Sequence, residues 1–418
     1  MKNLFRSFVL TSISTLCLTN VSFSASSVDA LGLGAELPIY AARQLAMGQS
    51  GSASLDRKSF NILNPAAMAY NEHTVFGATF GISSTLSNQN GDRGVQKSFS
   101  FKNIDMTIPL GRYGNFGLSY FQKTQSDLEY SDGTRTSQIE GGLSEFTPTY
   151  AVQVTDMFSI GTAYHFVMGR QRLFSTETIN ASDVDLSQAV LVDQLVYHND
   201  IAIQNSGSYY TLSLHYHQRD WDLNLRYLSA MTLDRTFNQS PYFIQDSVPL
   251  SDSKLRPKFF VEEVKTSQET PWALGFGAAY EAILGHEFVV DYQYQVGEGA
   301  LKANPFISIE DTKYSEAHSW GLGWERFGSG RGFDNFLKKV ALRAGYFGKT
   351  FSTNDLVENG VSLGLGMPLG RRGSMIDLSY QTSYKGPSTD TEFEEFDHGI
   401  YISLRGLGNW GEPSRRYR

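Results

Sequence analysis

Cysteine is almost missing from this chain: one residue in 418, Cys17. It lies in a leader-like stretch, so the rest of the chain has no disulfide and no thiol chemistry, which suits export through an oxidising compartment. A lipid-modified cysteine needs a small residue before it, and Leu16 stands there instead. Charge is scarce too, at 19% of residues against the usual quarter. Base is scarcer than acid, 35 Lys and Arg against 43 Asp and Glu; the net charge of −8 argues against nucleic acid as a partner. After residue 30 no apolar run approaches the ~20 residues of a membrane helix, and mean hydropathy is −0.28. A helical membrane protein is thereby excluded. There is no Gly-x-Ser-x-Gly elbow, no phosphate loop and no cysteine pair. No catalytic residue, cofactor or metal is therefore nominated, and the chain reads as a non-enzyme.

What the chain has is aromatics, 13% of residues, and a strict alternation. Fourteen strand-like runs follow one another: 73–84, 98–109, 115–129, 143–154, 157–170, 208–217, 220–234, 271–282, 286–296, 315–326, 338–348, 359–368, 374–384 and 398–406. Breaks after even-numbered runs are mostly tiny (Gly111–Gly114, Thr155–Asp156, Gln218–Arg219, Gly370–Gly373). Those after odd-numbered runs are long: 85–97, 130–142, 171–207, 235–270, 297–314 and 385–397. An up-and-down meander puts all odd connections at one end and all even ones at the other. Short turns at one end and long loops at the other mark a bacterial outer-membrane barrel. The expected fold is all-β, a 14-stranded antiparallel transmembrane β-barrel.

The alternation assigns faces. Trp221, Leu223, Leu225 and Tyr227 oppose Asp222, Asn224 and Arg226, and Phe288, Val290 and Tyr292 oppose Val289, Asp291 and Gln293. Ile376, Leu378 and Tyr380 oppose Asp377, Ser379 and Gln381. In a membrane barrel the apolar set faces lipid and the polar set the lumen. Arg226, Asp291, Arg343, Asp377 and Arg405 are the charged lumen candidates; such charges pair across a barrel, hold a plug or bind a carboxylate. Ser213, His215 and His217 share one strand face and read as polar lining rather than as a catalytic pair or metal site. The acidic run Asp390–Asp397 reads as a solvated face, with calcium as the competing reading. Apolar residues in the long loops (Val190, Leu191, Tyr242, Phe243, Phe259, Phe260) allow a greasy groove over the mouth.

Four segments result. Residues 1–24 read as a signal peptide, with Lys2 and Arg6, an apolar Phe8–Val21 stretch and Ser22-Phe23-Ser24. Residues 25–72 are not strand-like; 41–53 is rich in small residues, and Asn64-Pro65 favours a turn into a short helical piece, since Pro suits a first helical position. This segment is expected to sit inside the barrel as an N-terminal hatch, or plug. Residues 73–406 form the barrel and 407–418 a short basic periplasmic tail, where Trp410 or Tyr417 replaces the usual terminal aromatic signal.

Ala42-Arg43 with Leu45-Ala46-Met47-Gly48 and Ser50-Gly51-Ser52-Ala53, followed by Asn64-Pro65-Ala66 and a strand, resembles the start of the FadL-like superfamily of outer-membrane barrels. That superfamily includes long-chain fatty acid transporters and PorV-like secretion-associated proteins. The resemblance implies a hatch bearing Arg43, Met47, Asn64, Pro65 and Ala66, a fourteen-stranded barrel and a place in the outer membrane. It implies passive uptake of long-chain fatty acids or other small hydrophobic molecules. The competing class is a PorV-like binding or assembly protein for secretion or surface anchoring of cargo. An apolar, continuous lumen would favour the first; a sealed interior would favour the second. Implied partners are hydrophobic small molecules, outer-membrane lipids and lipopolysaccharide, the barrel-assembly machinery that inserts such proteins, and secreted cargo.

Overall fold

The computed structural model describes residues 33–408, apart from 90–91, 132–134, 181–193, 246–261, 303–304, 306–311, 330–334, 352–355, 370–373 and 388–392. Its wall is β1 (Thr74–Gln89), β2 (Asp92–Pro109), β3 (Asn115–Gln122 continued by Thr124–Ser131), β4 (Arg135–Gln153), β5 (Phe158–Asn180), β6 (Gln194–Gln218) and β7 (Trp221–Leu228 continued by Met231–Gln245). It goes on through β8 (Glu262–Thr270 continued by Ala273–Ile283), β9 (His286–Gln295), β10 (Ala317–Arg326), β11 (Ala341–Thr350), β12 (Leu356–Leu369), β13 (Ser374–Pro387) and β14 (Phe393–Gly408). Each strand pairs antiparallel with the next, and β14 returns to β1 with Thr74 opposite Gly408. Fourteen is even, so this closing pair is antiparallel like the others, and the closed ring has no edge. The signal-peptide stretch and the tail aromatics Trp410 and Tyr417 lie outside the described residues.

Burial follows the period of two. Leu212, Leu214, Leu225, Phe288, Val290 and Ile402 are exposed on the outer wall. Thr211, Ser213, His215, Asn224 and Asp291 are buried on the inner one. A bulge in the β1–β2 pair breaks the rule. Thr79 faces Asn103 while Phe80 faces Phe101, so Lys102 is an extra residue and both Lys102 and Asn103 are buried.

The strands reach further than their alternation marks them. The stretches 130–142, 171–207 and 235–270, expected as loops, are largely hairpin arms: β5 runs to Asn180, β6 starts at Gln194, and β7 reaches Gln245 opposite Leu195. Likewise β14 reaches Gly408, into the stretch expected as tail. At 23 residues and a tilt near 40°, β5 climbs well beyond the ~25 Å apolar band. Above that band the outside is water, so the outward apolar period stops while backbone pairing continues. There the faces exchange character. Ile201, Ile203 and Phe237 pack together inside, with Leu173 against them, while Arg172 pairs with Asp200 outside at 2.6 Å.

The wall is broken once in β3, at Lys123. Gly141 and Gly142 stand across from the break with positive φ (+113° and +151°), which glycine alone adopts without strain. A chain segment closes the break from the inside. The two-residue strand Ala35–Glu36 pairs with Gln125 and Thr124, and the Thr124 hydroxyl donates to the Leu33 carbonyl at 2.6 Å.

Candidate functional site: the lumen and the segment within it

Inside the ring, α1 (Ala42–Ala46) packs against the lumen face of β11–β14, and the 3-10 helix Pro65–Tyr70 against β4–β6. Small residues make this approach possible. A side chain at Gly321, Gly323 or Gly345 would strike the backbone of Met47 or Gly48, and one at Gly161 would strike Ala66. One at Gly277 would meet Ser52. These strand glycines thus face the segment.

Arg43 leaves α1 toward β10. Its Nε lies 2.9 Å from Glu325 and its Nη2 donates to Ser54 at 2.8 Å; Glu287 lies 3.3 Å away. Glu325 also accepts from Arg343 at 2.7 Å. Arg343 donates to Asp377 at 2.6 Å, and Asp377 accepts from Arg405 at 2.7 Å. Arg405 then pairs with Asp56, whose carboxylate lies 4.0 Å from Arg43. Six charges, three of each sign, form a closed ring. Two belong to the segment and four to successive or nearby strands. All are largely buried, where breaking one contact strands a charge. Burial alone would raise the Asp56 carboxyl; Arg405 and Arg43 outweigh it and hold it well below its ordinary 3.8. The ring residues on β10, β11, β13 and β14 stand near the short-turn ends of those strands.

The Asn-Pro-Ala motif has its own cradle. The Asn64 side chain accepts from Ala67 N at 3.2 Å, capping the 3-10 helix, and donates to the Ser52 carbonyl at 2.8 Å. It also contacts His215 Nδ1 at 3.0 Å. Ala66 N donates to Ser213 at 2.8 Å, and the Ala66 carbonyl accepts from Ser159 at 2.8 Å. Pro65 occupies the first helical position. Met47 is buried beside Ala53, Ala279 and Val289. Asp291 accepts from Ser52 N at 2.9 Å, and Arg226 donates to the Leu63 carbonyl at 3.1 Å.

All ten residues singled out in the sequence therefore lie where wall and segment meet. Arg43, Arg343, Asp377 and Arg405 share the ring; Arg226 and Asp291 hold other parts of the segment. Sequence reasoning passed over Glu325, Glu287 and Asp56. Glu325 and Glu287 carried a signal, being the polar neighbours of Trp324 and Phe288 on alternating strands. Also unforeseen was a second cluster beside the wall break. Glu145 there accepts from Lys123 at 3.2 Å and from Tyr209 at 3.0 Å, with His165 against it. In the acidic run, Glu395 is buried 3.8 Å from Lys385 and Asp397 accepts from Thr85. Asp390 and Glu392 lie outside the described residues, among which no three carboxylate or histidine ligands gather. Val190, Leu191, Phe259 and Phe260 are also outside them.

A closed barrel of fourteen antiparallel strands, apolar outside and polar inside, defines an outer-membrane-type β-barrel of FadL-like architecture. The chain belongs to the BamG family, whose profile matches residues 1–413. No curated protein sequence matches it significantly. Solved structures share the architecture. A FadL homologue of Pseudomonas aeruginosa superposes with a TM-score of 0.63 at 14% identity, covering 91% of this chain and 100% of that one. The toluene transporter TodX of Pseudomonas putida gives 0.59 at 15%, covering 91% and 100%. The toluene transporter TbuX of Ralstonia pickettii gives 0.56 at 15%, covering 91% and 99%. At such identities the likeness speaks to fold.

Proposed function

We propose that this protein is an outer-membrane barrel with its lumen closed by residues 33–71, acting by binding other proteins in the company of the barrel-assembly machinery. The observation that carries this reading is the six-charge ring, which fastens the segment to four wall strands near the short-turn end. A segment that must clear an open path would not be expected to hold six buried charges in mutual contact, because releasing it strands several of them. The family's name supports the same association with barrel assembly. A sealed interior is the feature that, from sequence, distinguishes partner binding from transport. Isolation of the tagged protein from outer membranes in mild detergent tests it. A stoichiometric complex containing the central barrel-assembly protein supports the reading; a lone barrel in every detergent argues against it.

A second reading, passive uptake of small hydrophobic molecules, is supported by the fold shared with toluene transporters and a FadL homologue. The apolar cluster of Leu143, Val167, Met231 and Leu233, packed by Leu33, makes the inner wall apolar beside the wall break, which agrees with that reading. Long-chain fatty acids are the narrower form of that reading. Saturable binding of a fluorescent fatty acid, weakened in a variant lacking residues 41–66, would favour it. Neither reading gives the protein a catalytic role, and both leave it with a signal peptide and a periplasmic tail.

A further inference from the structure

The short-turn end of the barrel is not polar throughout. The β4–β5 turn, with exposed Val154 and Met157 on either side of Thr155–Asp156, and the β6–β7 turn at Gln218–Arg219 have polar tips. The β8–β9 turn is Ile283-Leu284-Gly285, with Leu284 94% and Ile283 66% exposed. Beside it the β10–β11 connection carries a four-residue helix, α2 (Phe336–Lys339), with Leu337 78% and Phe336 60% exposed. The two pieces are held in place. Phe327 N donates to the Gly285 carbonyl at 2.8 Å, and Ser329 N to the Lys338 carbonyl at 2.7 Å. Arg326 donates to the carbonyls of Leu337 and Val340 at 3.3 and 3.0 Å. Gly285 N is capped by Glu281 at 2.8 Å.

Strand length says what covers this patch. β9 and β10 have ten residues each. At ~3.3 Å per residue and a tilt near 40° they climb about 25 Å, the height of the apolar band itself. These strands have nothing to spare, so their connections start at the leaflet surface rather than clear of it. The patch continues the lipid-facing wall, through Phe288 two residues beyond His286 and Trp324 stacked on His286 at 5.8 Å. Lys338 and Lys339 follow the apolar pair within the same helical turn. Apolar residues at the acyl boundary with cations beside them fit an anionic leaflet.

We propose that Leu284, Phe336 and Leu337 form a membrane-surface anchor in the periplasmic leaflet, with Lys338 and Lys339 on the phosphates of anionic glycerophospholipids. It fixes the low side of the barrel at one depth, while the tall β4–β8 side projects outward. The inference rests on the orientation read from loop lengths, not on the partner reading above, so either can fail alone.

With one native cysteine, Cys17, in the leader-like stretch, single-cysteine labelling tests it on the full barrel in nanodiscs. A fluorophore on Leu337→Cys or Leu284→Cys should lose most of its emission to lipids spin-labelled near the glycerol, and little to aqueous iodide. The same label on Asp156→Cys should do the reverse. Quenching at Leu337→Cys by labelled phosphatidylglycerol should exceed that by labelled phosphatidylcholine. In Lys338→Gln/Lys339→Gln that ratio should fall toward one, while the barrel keeps its heat-modifiable gel shift. Labels at positions 284 and 337 that behave like Asp156→Cys would overturn the proposal and leave the patch to a protein partner. An unchanged lipid ratio in the lysine variant would overturn the anionic-lipid part.

Discussion

At the scale of single residues, the interior is organised by charges that have no water to fall back on. Glu325 serves Arg43 and Arg343 together. Replacing it by Gln takes one carboxylate from each of two buried guanidinium groups, leaving Arg43 with Glu287 and Asp56 and Arg343 with Asp377, and a cost of about 3–5 kcal/mol is expected, read as a lowered urea midpoint of the detergent-folded barrel. Asn64→Ala removes a cap and a contact to His215, for a loss of about 1 kcal/mol on the same measurement. Asp56 makes the ring sensitive to acid. Its folded carboxyl titrates below its unfolded value, so the unfolded state binds the proton first as pH falls. Its stabilisation is fully present above about pH 3.8 and drains away as pH falls below that. Asp56→Asn should therefore flatten the unfolding midpoint between neutral pH and about pH 3, compared with the wild type. Arg343, Asp377 and Arg405 could be found from sequence because they are charged members of the polar faces of alternating strands, and Arg43 because it lies in the stretch that carries the family resemblance. Asp56 could not, since nothing in Ser54-Leu55-Asp56-Arg57 distinguishes a buried acid from an exposed one.

At the scale of elements, period two located all fourteen wall strands, because lipid outside and a polar lumen inside impose opposite demands on neighbouring residues. It failed where those demands change. Above the membrane the outer face turns polar, as with Arg172 and Asp200, and the inner face turns apolar, as with Ile201 and Phe237, so the arms of β5 to β8 read as loops. The bulge at Lys102 was hidden for a related reason: one added residue shifts the register without altering composition. Glycine carries a second meaning that alternation does not reveal. Gly345 lies where a Cβ would sit 2.0 Å from Gly48 N. Gly345→Val should lift residues 47–50 off the wall, and a Ser50→Cys reporter, buried in the parent, should then react with a small aqueous thiol reagent within minutes rather than hours.

At the scale of the whole molecule, a barrel of this circumference needs something to fill it. Residues 42–54 and 60–71 lie against its inner wall, tied by ion pairs on one side and by the Asn-Pro-Ala cradle on the other. The tall and low sides of the wall give the molecule two faces: long hairpins on one side and, at the short-turn end, an apolar patch at the β8–β9 and β10–β11 connections. The segment held against the inner wall by buried ion pairs is the basis for proposing the protein as a binding component. Its most direct test is the conductance of the purified barrel in planar bilayers, with wild type beside Arg43→Ala/Arg405→Ala. The account predicts a silent wild type at neutral pH and discrete openings once the ring is cut. A wild type that conducts steadily, with the double variant unchanged, would contradict it.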